Sequence, residues 1–273
     1  MNKKKENCRY PLDPLVAVME RLLGEGGCPW DREQDHLSLR QYLIEECYEV
    51  IEAIEENNMH KLCEELGDLL LQIVFHSCLA QERGDFTIGD VVAGVTAKMI
   101  RRHPHVFGNV AVRDSDEVLV NWQQIKERER GGRGEESILA GIPRQLPSLM
   151  RAKKLQARAA RVGCDWEDVA GAWEKVEEEL QELKEAGQRG DPGAIEEERG
   201  DLLFAIVNVA RFLSVEPETA LTRTNNKFVK RFHYIEEEAR RAGRDLKDMT
   251  LAEMDSLWNK AKNNGKLCEK DQE

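Results

Sequence analysis

Apolar residues recur every three to four positions along most of this chain, and alternating β-branched runs are few. That period marks amphipathic helices, so the expected fold class is all-α. In the first half the pattern predicts helices over 12–23, Leu39 to Glu56, Lys61 to Arg83, Thr87 to Arg102 and Val118 to Arg130. They are separated by Gly24 to Gly27 with Pro29, by Asn57-Asn58, by Gly84 and by Pro104. Such residues end helices through backbone freedom or a missing N–H. The clearest linker is Gly131-Gly132-Arg133-Gly134, and Pro143 and Pro147 mark the re-entry. The second half repeats the plan over 148–161, 169–187, 194–214, 217–242 and 250–263, with a turn at Gly190-Asp191-Pro192-Gly193. The expected organisation is one helical-bundle repeat over 1–130, a linker over 131–147 and a tandem second repeat over 148–273.

The helix beginning at Lys61 departs from simple amphipathicity. On a wheel of 100° per residue, Leu66, Leu69, Leu70, Leu71, Ile73, Val74 and Phe75 cover nearly the whole circumference. Glu65, Asp68, Gln72 and His76 are left as a narrow polar stripe. Its counterpart in the second half is surrounded by Leu202, Leu203, Phe204, Ala205, Ile206, Val207 and Val209, with Glu198, Asp201 and Asn208 as the stripe. A helix apolar nearly all round is expected to be buried, and a buried carboxylate needs a cation or a basic partner. The preceding helix is less telling. There Glu45, Glu49, Glu52 and Glu56 oppose Ile44, Cys47, Ile51 and Ile54, which by itself reads as a solvated face.

The spacing of the acids changes that reading. Glu46 and Glu49 lie one helical turn apart, and Glu65 and Asp68 form a second such pair sixteen positions on. Glu179 and Glu182 are followed at the same interval by Glu198 and Asp201. Pairs at i, i+3 share a helix face, and two of them on antiparallel neighbours can converge. The surrounding words repeat too. Cys28-Pro29-Trp30-Asp31 matches Cys164-Asp165-Trp166-Glu167, Lys98 and Arg102 match Lys227 and Arg231, and Trp122 and Lys126 match Trp258 and Lys262. The chain reads as a duplication of one unit of roughly 130 residues. Four converging acids resist ionising together, and a hard divalent cation, Mg²⁺ with Mn²⁺ as the alternative, relieves the repulsion.

Composition narrows the partners. The 273 residues carry a net charge of −12, with 34% charged and 6% aromatic residues. That balance suits a soluble helical protein and lacks the basic footprint of nucleic-acid binding. The seven cysteines are odd in number and contain no Cys-x-x-Cys, which fits reduced thiols in a cytoplasmic protein. No apolar run reaches membrane-spanning length, and the basic start Met1-Asn2-Lys3-Lys4-Lys5 is not followed by a signal-peptide core.

Other chemistries fit less well. A di-iron carboxylate bundle expects a His three positions after an acid, and no acid pair has one. There is no P-loop motif. His103-Pro104-His105 has no equivalent in the second half and reads as a turn. Each Lys-x-x-x-Arg on its own is an ordinary solvated pair. Placed after a pair of acid-bearing helices, it supplies the cations a polyphosphate requires beside a metal. Trp258 is either a core cap or a base-stacking ring with Lys262 on a phosphate.

Taken together, Glu-Glu-x-x-Glu followed by Glu-x-x-Asp, Arg102-His103-Pro104-His105-Val106-Phe107, Arg151-Ala152-x-Lys154-x-Gln156 and Val162-Gly163-Cys164-Asp165-Trp166 resemble the two-repeat, MazG-type all-α nucleoside triphosphate pyrophosphohydrolases. The resemblance runs from about residue 12 to about residue 262. It implies Mg²⁺-dependent hydrolysis of nucleoside triphosphates to monophosphate and pyrophosphate, and a homodimer. It also implies metal ligands Glu179, Glu182, Glu198 and Asp201, with Lys227, Arg231, Trp258 and Lys262 on the triphosphate and base and Lys175 at the pocket edge. The first half would present Glu46, Glu49, Glu65, Asp68, Lys98, Arg102, Trp122 and Lys126 in the same roles. Glu178 or Glu45 is the candidate to orient the attacking water. The alternative is a nucleotide-binding regulator in which one or both repeats are catalytically silent.

Overall fold

The computed structural model describes residues 12–131 and 137–270. The basic start, Cys8 and positions 132–136 of the Gly-rich linker lie outside the described residues. Among those residues there are twelve α-helices, one 3-10 turn and no strand, so the fold is all-α. The chain divides into two compact units, Met1–Arg130 and Gly131–Glu273.

The first unit contains α1 (Asp13–Leu23), α2 (Pro29–Arg32), α3 (Arg40–Glu55), α4 (Met59–Arg83), α5 (Ile88–Arg102), α6 (Pro104–Phe107) and α7 (Ser115–Gly131). The second contains α8 (Ser148–Ala160), α9 (Val169–Arg189), α10 (Pro192–Phe212), α11 (Pro217–Arg241) and α12 (Leu251–Lys270). The two shortest helices, α2 and α6, begin at Pro29 and Pro104, which the sequence reading took as breaks. A proline ends the helix before it, but its fixed φ and missing N–H suit the first position of the next. The turn expected at His103-Pro104-His105 is therefore a helical one, α6.

Short connections make α3 and α4, and α9 and α10, antiparallel neighbours packed along their lengths. The chain leaves α9 through Gly190 at φ 67, a left-handed conformation that suits glycine. Asp191 then caps α10, its Oδ1 accepting from the backbone N–H of Gly193 at 3.0 Å. Between α3 and α4 the reversal uses Asn57 at φ 52 and an Asn58 cap on Lys61 N–H at 3.1 Å. These reversals lay the acid-bearing stretches of each pair side by side.

In the first unit the core gathers Met19 and Leu23 of α1, Leu39, and Val74, Phe75, Cys78 and Leu79 of α4. In the second, α8 and α9 pack on α10, with Ala172, Ala186, Ala205, Val207 and Val209 buried. The all-round apolar helices are only partly covered. Leu66, Leu70 and Ile73 of α4 stay 39–49% exposed, and Leu203, Phe204 and Ile206 of α10 stay 45–50% exposed. The expectation of full burial fails within one chain because the neighbouring helices cover only part of each circumference. Cys28, Cys47, Cys63, Cys78 and Cys164 are free thiols. Among the described residues no helix is long and apolar enough to cross a membrane.

Met19 is 1% exposed. Met19→Ala is expected to cost about 2–5 kcal/mol, read as a lower denaturant midpoint for the first unit's transition with an unchanged m value.

Candidate functional site

The acid pairs meet where the antiparallel helices lie against each other. In the first unit, α3 presents Glu46 and Glu49 and α4 presents Glu65 and Asp68. Carboxylate oxygens of Glu46, Glu49 and Glu65 lie within 4.8 Å of one another. In the second unit, α9 presents Glu178, Glu179 and Glu182, and α10 presents Glu198 and Asp201. Two overlapping groups form there, Glu178 with Glu179 and Glu182, and Glu179 with Glu198 and Asp201, each within the same 4.8 Å. Glu179 belongs to both and is buried, 4% exposed.

The electrostatics follow from this crowding. Burial first, then the charges of Asp68, Glu49 and Glu65, push the Glu46 carboxyl above its ordinary value. Burial and Glu49 do the same to Glu65. Burial, Glu182, Glu179 and Asp201 raise Glu198. Acids raised in this way favour a cation that removes both desolvation and repulsion. A six-coordinate Mg²⁺ with oxygens at about 2.1 Å places opposite ligands about 4.2 Å apart, so the oxygen separations suit one such ion with small side-chain adjustment. The donor set, all carboxylate, is hard and matches the same ions.

Lys175, one turn before Glu179, reaches Glu179 at 2.6 Å and Glu178 at 2.9 Å. Hydrogen bonds that it donates to Glu179 and Glu178 push its pKa up, so it stays charged. Glu178 is thus already engaged by a lysine. The first unit has Tyr42 one turn before Glu46.

The basic and aromatic candidates form a separate group on α11 and α12. Phe228 lies 5.2 Å from Trp258 between ring centroids, and the Arg231 guanidinium stands 5.2 Å from the Trp258 centroid. Lys227 and Lys262 are exposed. None of the described ion pairs joins Lys227, Arg231 or Lys262 to the acids of α9 and α10. In the first unit Lys126 sits 3.9 Å over the Trp122 ring, and Lys98 is half-buried. Arg102 is held differently from Arg231. It pairs with Glu129 of α7 at 2.5 Å, and Arg101 pairs with the same carboxylate at 2.7 Å. The Arg102 guanidinium, with Arg101 beside it, pulls Glu129 down to about 2.

A cavity of about 450 Å³ opens beside the acids of the second unit. Its lining joins Lys175, Glu179 and Asp201 to Gln156, Trp166 and Asn208. The sequence reading noted these last three as parts of motifs or of the polar stripe, but only the packing of α8 against α10 reveals a space between them.

Comparison with known proteins agrees with the repeat. The MazG nucleotide pyrophosphohydrolase domain matches residues 34–107 and 171–235. A Thermotoga maritima protein described as nucleoside triphosphate pyrophosphohydrolase/pyrophosphatase MazG is 49% identical over 250 residues, 92% of this chain and 95% of that protein. An Escherichia coli nucleoside triphosphate pyrophosphohydrolase is 43% identical over 254 residues, 92% and 97% of the two chains. Bacillus subtilis YabN, described as uncharacterized, is 51% identical over 261 residues, and this chain spans 53% of its length.

Two outcomes are expected. Glu129 has a folded pKa below its ordinary 4.5, so the stability it contributes is complete above 4.5 and lost as pH falls toward about 2. The melting-temperature gap between wild type and Glu129→Gln should be widest near neutrality and close across that window. Conversely, Mg²⁺ should raise the melting temperature, and that gain should shrink as pH falls from about 7 to about 5, because protons compete for the raised acids.

Proposed function

We infer from membership of the MazG nucleotide pyrophosphohydrolase family, to which this chain belongs, that it hydrolyses nucleoside triphosphates. The products are the nucleoside monophosphate and pyrophosphate, and the substrates are canonical or damaged ribo- or deoxyribonucleotides of the cellular pool. The observation that carries this reading is that Glu179 is shared by two acid groups, one with Glu178 and Glu182 on α9 and one with Glu198 and Asp201 on α10, beside a cavity of about 450 Å³.

Glu179, Glu182, Glu198 and Asp201 would hold Mg²⁺. When bound, the ion withdraws charge from phosphate oxygens and lowers the pKa of an attached water. The chain's own groups do the rest. Glu179, buried between the two acid groups, anchors the cage, and Glu182 and Asp201, both exposed, face arriving substrate. Glu178, paired with Lys175, is placed to orient the attacking water or accept its proton. Lys175 keeps a positive charge at the rim of the cavity. Lys227, Arg231 and Lys262 neutralise the remaining phosphate charge, and the Arg231 guanidinium is stiffened by Trp258. The half-exposed Leu203, Phe204 and Ile206, with Leu66, Leu70 and Ile73, support a homodimer that covers these faces.

A second reading applies to the first unit alone. Arg102 is already paired with Glu129, which supports a nucleotide-sensing or silent role there despite an intact set of acids.

The test is pyrophosphate release from a nucleotide panel with Mg²⁺. Glu182→Ala should lower the rate by at least ~100-fold, the scale on which losing a metal-shell group acts. Glu49→Ala should leave most of it. Equal and full activity in both variants would remove the site assignment.

A further inference from the structure

The two units carry the same cations in different company. In the first, α5 ends in Lys98, Arg101 and Arg102, and in the second α11 carries Lys227, Lys230 and Arg231 at the same spacing. On α7, Trp122, Lys126 and Glu129 follow at i, i+4 and i+7, which is one face of a helix. The matching positions of α12 are Trp258, Lys262 and Gly265. The two sets thus differ by one carboxylate, present as Glu129 and missing at Gly265.

That carboxylate is held as a phosphate would be. Arg101 Nε donates to Glu129 Oε1 at 2.7 Å, and Arg102 donates to Oε2 from Nε at 3.2 Å and from a terminal nitrogen at 2.5 Å. Forked donation of this kind is how arginine grips carboxylates and phosphates alike. The side chains of Arg102 and Glu129 are each 17% exposed, so water competes little for the contact. Arg231, by contrast, makes no ion pair among the described residues and stands over the Trp258 ring.

The contact also has the features of one that can open. Two arginines share a single carboxylate, which leaves one positive charge over, and Arg101 is 54% exposed. Among the described residues α7 lies along no other helix of its unit. The Glu129 ion pairs tie it to α5, together with the ring contact of Trp122 with His103 at 6.2 Å. Releasing Glu129 therefore breaks little apolar packing. On the same face of α7, Trp122 Nε1 is buried without a hydrogen-bond partner, a donor that a phosphate oxygen would satisfy.

We propose that Glu129 is an internal stopper of the first unit, occupying the seat at Arg101 and Arg102 that the triphosphate tail of a nucleotide would take. A polyanion enters only by displacing it. The second unit, with Gly265 at the matching position, has no such competitor. The inference rests on the reading that the Lys-x-x-x-Arg pairs hold the triphosphate, and it gives the silent role of the first unit a cause outside its acids.

The test titrates inorganic tripolyphosphate with Mg²⁺ calorimetrically into the full chain. Wild type is compared with Glu129→Gln, with Glu129→Gly, which copies the second unit, with Glu129→Gln/Arg102→Gln, and with Arg231→Gln. Melting curves establish which of the two Glu129 variants is folded at the titration temperature. The wild type should bind at a single strong site per chain. Each folded Glu129 variant should add a second site, or tighten a weak one at least ~10-fold, ~1.4 kcal/mol, and the double variant should lose that gain. A purely structural ion pair would lower the melting temperature and add no site. Isotherms like the wild type's in the folded Glu129 variants would overturn the stopper, as would a gain that survives Arg102→Gln. The triphosphate reading is judged separately by Arg231→Gln, which should weaken the wild-type site at least ~10-fold. If it did not, the assignment of α11 would fall, while a gain in Glu129→Gln that needs Arg102 would still uphold the stopper.

Discussion

Mutual repulsion among carboxylates held a few ångströms apart is the constraint on which this structure turns. Two helices joined by a tight reversal bring acid pairs at i, i+3 together, and the packing that holds the helices also withdraws the acids from water. The unfavourable energy of that arrangement is visible in the raised protonation of Glu46, Glu65 and Glu198. A site that is uncomfortable when empty binds a divalent cation with correspondingly greater effect. Helix length, the Gly190 and Asp191 reversal and the small buried Ala172, Ala186 and Ala205 all serve to bring α9 and α10 close enough for this.

Much of this was legible in the sequence, and what was not has identifiable causes. The long helices follow from apolar period and breakers, and the acids stood out because their spacing recurs. The first helix does end before Pro29 and the fifth before Pro104, but the short helices those residues open carry too few positions to show a period. The exposure of Leu66 and Leu203 escaped the helical wheel, which records where apolar residues lie but not how many neighbours cover them. The Arg102–Glu129 pair joins residues 27 positions apart on α5 and α7, so no periodic pattern announces it. The cavity was the least legible feature. Replacing Phe75 by Asn208 at matching positions is one letter among many, and its meaning depends on α8 bringing Gln156 against the same wall.

Duplication explains why the two units can share ligands yet differ in their surroundings. Once one copy performs the chemistry, the second is released to strengthen its core. The first unit shows this in its continuous apolar cluster from Met19 to Leu79. Each unit also keeps one buried amide oxygen without a partner, Gln72 Oε1 in the first and Gln156 Oε1 in the second.

Lys175 has a consequence of a different kind. Its ammonium lies 2.6 Å from Glu179, close enough to act as an internal counter-ion to the acids of α9. Tyr42 cannot serve in that way. The second unit thus carries a tethered positive charge against its crowded carboxylates, a built-in counterweight to their repulsion that the first unit lacks at the matching position.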